Sequence, residues 1–196
     1  MKLSRIEFLV MNNPGRRWVQ KHFEFRIFKD FLKQYNLDLT GKTILDAGCG
    51  SGYSSELILK ELKPAKLVAF DLMPEQINLA KKRNLNADFF VGDMTKIELP
   101  ASTFDAVFVF GVLHHIPDWK KALAELSRVL KPEGVLLLEE VKGSFVEAVG
   151  HCGFKHPEEA MFNWTELENE LQSAGFKILE KRKIVIEIFK SFLCLK

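Results

Sequence analysis

Ile44–Tyr53 reads ILDAGCGSGY, and the fold of the whole chain turns on this stretch. Gly48, Gly50 and Gly52 alternate with Cys49 and Ser51, after an apolar run that ends in Asp46 and before a helix-like segment, SSELILKEL. A strand that enters a glycine-rich turn and then a helix brings bare backbone N–H groups against a ligand, because glycine has no Cβ and tolerates positive φ. A glycine-rich turn alone says little. Here strand, turn and helix come in order, and a second apolar run, LVAF, ends in another acid, Asp71. That context points to a nucleotide-type ligand.

The spacing separates two ligand classes. A dinucleotide GxGxxG pattern needs a small residue at position 53, where Tyr53 stands. The pattern present is DxGxGxG, from Asp46 to Gly52. Downstream follow AFDLMPEQINLAKKR, FFVGDMTKIELP and FDAVFVFGVLHHIPDWKKALAELSRVLKPEGVLLLEE. Taken in order, these stretches resemble the successive motifs of the class I S-adenosylmethionine (SAM) dependent methyltransferases. The likeness is to the broad group that includes the ubiquinone/menaquinone-type, small-molecule enzymes. It covers roughly Thr40 to Glu140.

Outward from the glycine turn, the residues themselves give an α/β pattern. Apolar runs at 44–47, 67–70, 88–91, 104–110 and 135–138 are short and nearly unbroken, as strands buried on both faces of a parallel sheet are. Helical patterns lie between them at 53–62, 75–84 and 118–130, with Pro74 in a first turn and Pro117 and Asp118 opening the third. This alternation predicts a doubly wound, Rossmann-like sheet with its ligand at the C-terminal strand ends. In the tail, Thr165 and Glu168 read as a capping box for a helix ending near Gly175. FKILEKRKIVIEIFKSFLCLK then gives two strand-like runs with no helix between, hence an antiparallel pair. The resemblance implies the same ending: about seven strands, mostly parallel, the last antiparallel.

Residues 1–40 read as an N-terminal helical cap on a methyltransferase domain at 41–196, the two forming a single globular domain. Trp18, Phe23, Ile27 and Phe31, with Phe8 before them, fall near helical spacing, and Asn12, Asn13, Pro14 and Gly15 break the segment in two. Arg16, Arg17, Lys21, Arg26, Lys29 and Lys33 accompany them. One reading is a helix that packs its aromatic face on the sheet and solvates its basic face. The other is a lid over the site, as the resemblance implies.

Whole-chain composition bounds the function. Hydrophobic content of 47% and net charge of +2 describe a globular chain with no polyanion-seeking excess. Mean hydropathy is −0.03. Three cysteines without regular spacing suit reduced thiols and a cytoplasmic setting. No apolar run approaches the ~20 residues of a membrane span, and no export signal is evident at the N-terminus.

The resemblance assigns the site residue by residue. Gly48, Cys49, Gly50 and Gly52 approach the amino-acid end and ribose of SAM, and Asp46 organises the turn and meets the ligand's ammonium, directly or through water. Asp71 accepts both ribose hydroxyls, where its charge would also repel an NADP 2′-phosphate. Leu72 and Met73 lie beside the adenine. Asp93 accepts the adenine amino group while Met94 packs on the ring, and Phe110 and Gly111 line the methionine portion. An ordinary loop or cap role stands as the alternative for each acid, most of all for Asp93, since Gly-Asp after a strand is a common turn.

Methyl transfer asks little covalent help of a protein. SAM is already activated, so alignment and exclusion of water dominate, and a base matters only for a nucleophile that holds its proton. His114 and His115, in GVLHHI, are the candidate catalytic residues, against the alternative that they cap or line the pocket. His151, Cys152 and His156, in HCGFKH, match no standard zinc spacing, so no metal is expected. The fourth-strand end lacks both the Asn/Asp-Pro-Pro-Tyr/Phe motif used on planar amines and the nucleophilic cysteine of RNA cytosine C5 enzymes. The expectation is therefore transfer of the SAM methyl to a small-molecule acceptor, apolar or aromatic in part, with S-adenosylhomocysteine (SAH) as product. The alternatives are an RNA or protein acceptor, or a SAM-binding regulatory protein without turnover.

Overall fold

Short apolar runs bounded by turns can satisfy their backbone only by pairing with one another, and they do so here in a single sheet. The computed structural model of the protein describes residues 8, 12–145, 157–184 and 188–196. The strands are β1 (Thr43–Ala47), β2 (Lys66–Asp71), β3 (Asp88–Val91), β4 (Phe104–Phe110), β5 (Leu130–Val141), β6 (Lys177–Ile184) and β7 (Phe189–Leu195). They lie in the order β3-β2-β1-β4-β5-β7-β6. β1 to β5 pair in parallel, and β7 runs antiparallel between β5 and β6. This is the Rossmann-like sheet with an antiparallel last strand that the alternation and the resemblance imply. The strand order reverses between β1 and β4, which puts the ligand crevice of such folds over their C-terminal ends.

The helices are α1 (Pro14–Val19), α2 (Phe25–Gln34), α3 (Tyr53–Leu62), α4 (Pro74–Lys81), α5 (Trp119–Val129) and α6 (Trp164–Ser173). Side chains alternate across each strand, so the core divides into two layers. Ile44, Ala106, Phe108, Leu137 and Leu193 pack with residues of α2 and α3. Leu45, Val107, Val109, Leu136, Leu138 and Phe192 pack with residues of α5 and α6 on the other face.

The N-terminal segment differs in detail from the sequence reading. Asn13 and Pro14 do not merely interrupt a helix but start one: the Arg16 N–H donates to Asn13 Oδ1 at 2.9 Å, and Pro14 occupies the first turn. A π-helical turn, Gln20–Glu24, joins α1 to α2. Its wider winding rotates the two halves against each other, and the apolar stripe does not run straight through. Phe25, Phe28, Phe31 and Leu32 are buried, whereas Trp18 and Phe23, expected on the same face, are exposed. Phe28 sits 5.0 Å from Phe110 and 5.8 Å from Phe108, ring centre to ring centre. Much of the phenylalanine cluster is thus sheet-facing core.

The capping box of α6 also lies two residues earlier than read. Asn163 caps the helix and Glu166 returns the bond, because Trp164, not Glu166, is the first helical residue. Glu168 instead accepts from Lys181 and Lys190. Among the described residues no helix is long and apolar enough to cross a membrane.

Candidate active site

A cavity of about 280 Å³ lies over the C-terminal strand ends, where the fold places ligands. The glycine turn after β1 borders it, and its three glycines are there for different reasons. A Cβ on Gly48 would fall 2.6 Å from Val112 Cγ2, and one on Gly52 would fall 2.9 Å from the Ala80 Cβ on α4. Gly50, by contrast, faces open space, with φ at +52°. Gly48 and Gly50 line the cavity; Gly52 lies behind it, ahead of the first residue of α3.

Four of the turn's five N–H groups are already engaged within the protein, contrary to the expectation from the glycines alone. Gly48 and Cys49 donate to the Phe70 carbonyl, Gly50 donates to Asp71 Oδ2, and Gly52 donates to the Cys49 carbonyl. The turn therefore admits a ligand through bare Cα atoms and close backbone approach. A pyrophosphate cradle would need those donors.

Asp71 closes β2 at the cavity wall. Its Oδ2 accepts from Gly50 N–H and its Oδ1 from Met73 N–H, both at 2.9 Å. Each oxygen keeps a lone pair for a further donor, as a vicinal diol requires. Burial raises the Asp71 carboxyl against these two N–H bonds, which lower it. Leu72, Met73, Asp93, Met94, Phe110 and Gly111 line the same cavity. Asp93 is held by Thr95, whose N–H and Oγ1 both donate to Oδ1 at 2.8 Å. Cys49 also lines the cavity, but burial and the nearby Asp46 and Asp71 charges push its thiol well up, which keeps it from acting as a thiolate.

Asp46 stands elsewhere. It is fully buried, does not line the cavity, and accepts through Oδ2 from the hydroxyls of Ser54 and Ser55 at 2.7 and 2.6 Å. It ties β1 to the first turn of α3, which organises the turn from behind, while its Oδ1 is buried without a hydrogen-bond partner among the described residues. Burial, partly offset by the two serines, pushes its carboxyl up to about 6.

The two histidines diverge. His115 lines the cavity. His114 is buried behind the wall, its Nδ1 2.8 Å from Glu140 Oε2. Glu140 Oε1 also accepts the N–H groups of Val112 at 2.8 Å and Leu113 at 2.5 Å, so one buried carboxylate holds the whole turn after β4. His151, Cys152 and His156 lie outside the described residues. Among the described residues, no cluster of three or more His, Cys, Asp or Glu could hold a metal ion.

Several cavity residues escape a motif-based reading. Arg16, Arg17 and Gln20 reach it from α1 and the π turn, and the guanidinium carbons of Arg17 and Arg83 lie 5.9 and 5.6 Å from the Tyr53 ring centre. Arg16 forks onto the buried Glu24 at 2.9–3.0 Å. Glu139 and Glu140 carried one signal that could have marked them: acids at the end of a central strand, as Asp71 is.

Residues 45–138 match the model of a methyltransferase domain. The malonyl-[acyl-carrier protein] O-methyltransferase of Serratia marcescens is 34% identical over 110 residues, which is 56% of this chain and 42% of that protein. The fatty-acid O-methyltransferase of Mycolicibacterium smegmatis is 27% identical over 78% of this chain and 50% of its own length. The chain thus spans half or less of these curated relatives. A SAM dependent methyltransferase from Aquifex aeolicus superposes with a TM-score of 0.77 at 23% identity, covering 99% of both chains. By that domain match, and by a fold shared along its whole length, the chain is similar to the SAM-dependent methyltransferases.

Proposed function

We propose that the protein transfers the methyl group of SAM to a small-molecule acceptor. The observation that carries this reading is Asp71, fixed by Gly50 and Met73 at the cavity wall, beside a turn most of whose own donors are taken up. That combination suits a ribose diol without a pyrophosphate. In this reading Asp71 binds the ribose, Leu72, Met73, Asp93 and Met94 hold the adenine, and Gly48, Cys49, Gly50, Phe110 and Gly111 enclose the amino-acid end. Asp46 and Gly52 support the turn from behind.

SAM supplies a sulfonium methyl activated for in-line displacement. The protein's share is to hold an acceptor in line and keep water out. Val112, Ile116 and Pro117 give the cavity an apolar wall, and Arg16, Arg17, Gln20 and His115 give it polar groups. An acceptor with an apolar body and one polar head fits that lining. The relatives named for malonyl-[acyl-carrier protein] and fatty-acid substrates are consistent with it.

The test is transfer from methyl-labelled SAM to octanoic acid, 1-octanol, octylamine and 4-propylphenol, with extraction of labelled product and assay of SAH. Labelled product from one head-group class, abolished in Asp71→Ala, is expected. Protein that binds SAM and labels no probe, but labels RNA or protein in a cell extract, would overturn the small-molecule reading.

A further inference from the structure

The π turn that throws the N-terminal segment out of helical phase leaves one face of it uncovered. Trp18 is 57% exposed, Phe23 46% and Val19 40%. The Trp18 ring centre lies 5.1 Å from that of His22 and 5.6 Å from that of Phe23, so the rings form one patch. Single apolar side chains on a surface need no explanation, but a cluster of them does. Arg17 and Gln20, interleaved with these residues in the chain, line the cavity. The stretch that walls the cavity therefore carries the patch as well.

The charges around the patch are of one sign. Between Pro14 and Phe28 the charged side chains are Arg16, Arg17, Lys21, Glu24 and Arg26. The one acid, Glu24, is buried and spent on Arg16. Lys21 and Arg26 are exposed and make no ion pair among the described residues. Beyond them, Asp30 is paired with Arg182. Glu61, near the end of α3, accepts from Lys29, and that bond with the charges of Lys29, Lys60 and Lys21 holds its carboxyl low. Basic side chains thus outnumber the acids that could neutralise them.

An aromatic cluster ringed by unpaired basic side chains matches the boundary of an anionic bilayer. The rings enter the headgroup region, and the lysines and arginines meet the lipid phosphates. Nucleic acid would use the charges and one stacked ring, but would leave Val19 and the rest of the cluster in water. We propose that this face docks on the surface of an anionic lipid bilayer. The attachment is peripheral and reversible, since three side chains enter and no helix spans. If the proposed function holds, docking sets the cavity beside the phase in which an acceptor with an apolar body dissolves.

The docking itself does not rest on the SAM reading, and its test contains no cofactor. The probes are vesicles of phosphatidylcholine and of an equal mixture of phosphatidylcholine and phosphatidylglycerol. Trp119 and Trp164 are buried, so Trp18 reports a change of surroundings. The mixed vesicles are expected to shift its emission to shorter wavelength and to pellet the protein, roughly tenfold more tightly than phosphatidylcholine alone. Added salt should weaken that binding. Lys21→Glu combined with Arg26→Glu should weaken it roughly tenfold or more. Phe23→Ser, which spares the charges, should weaken it at least about threefold. All three positions are exposed, so the unfolding temperature and the affinity for SAH should stay as in wild type. No binding of mixed vesicles by folded wild-type protein overturns the proposal, as does unchanged binding in both variants. Equal binding to the two kinds of vesicle overturns the electrostatic half of it. Quenching of Trp18 by single-stranded RNA without vesicle binding would assign the face to nucleic acid. Self-association abolished by Phe23→Ser, again without vesicle binding, would assign it to a second copy of the chain.

Discussion

The strand ends on the β2–β3 side of the cavity and those on the β4–β5 side satisfy their acids in different ways. Asp71 is fixed partly by Met73, two residues on, and Asp93 by Thr95, also two residues on. Each device fits within a short motif. On the other side, Glu140 is held by Val112, Leu113 and His114, 28, 27 and 26 residues away. Glu139 feels Glu24 and Arg16, which arrive from the far N-terminal end of the chain. One half of the site is local chemistry and the other is tertiary assembly. A cofactor shared by many proteins suits the first kind, and an acceptor specific to one protein suits the second.

This difference can be broken most forcefully at Phe28. If the N-terminal helix is integral to the acceptor side, Phe28→Ala removes a fully buried ring packed on Phe108 and Phe110 and should cost about 3–5 kcal/mol. Urea denaturation would measure it. A loss under about 1 kcal/mol would mean that the helix is a detachable cover, and that both sides of the site are local after all.

Asp46 sharpens the contrast from the glycine side, where it supports the turn without facing the cavity. Its carboxyl is pushed up to about 6 in the folded protein, from an ordinary 3.8. The folded state therefore holds this proton more tightly than the unfolded chain does. Stability from this group is fullest below about pH 4, declines as pH rises from 4 to 6, and is flat above, the total change being about 3 kcal/mol. Asp46→Asn should remove that slope, so the stability difference between wild type and variant should shift across the same window. Parallel pH curves for the two proteins would place Asp46 in a more solvated setting than the structure gives it.

How far the sequence could be read follows the same division. The mostly parallel sheet and the antiparallel last strand were legible because the apolar runs and turn residues that set them are contiguous. The glycines and Asp71 were legible for the same reason. Most of the free N–H groups expected of the glycine turn were not found, because Phe70 and Asp71 on the neighbouring strand take them up. Trp18 and Phe23 were misplaced because a π turn shifts the helical phase, and nothing in a 3.6-residue count announces it. Arg16, Glu24 and Glu139 were invisible as a set, since only the fold brings positions so far apart in the chain close enough to interact.

The measurement that bears most directly on the central claim is calorimetric titration of the wild-type protein and Asp71→Ala with SAM and SAH. Micromolar binding of both ligands by wild type is expected, weakened about a hundredfold or more in the variant, since a ribose diol would lose its charged acceptor. Equal affinity in the two proteins, or no binding by folded wild type, would contradict the SAM reading and leave the glycine turn as structure alone.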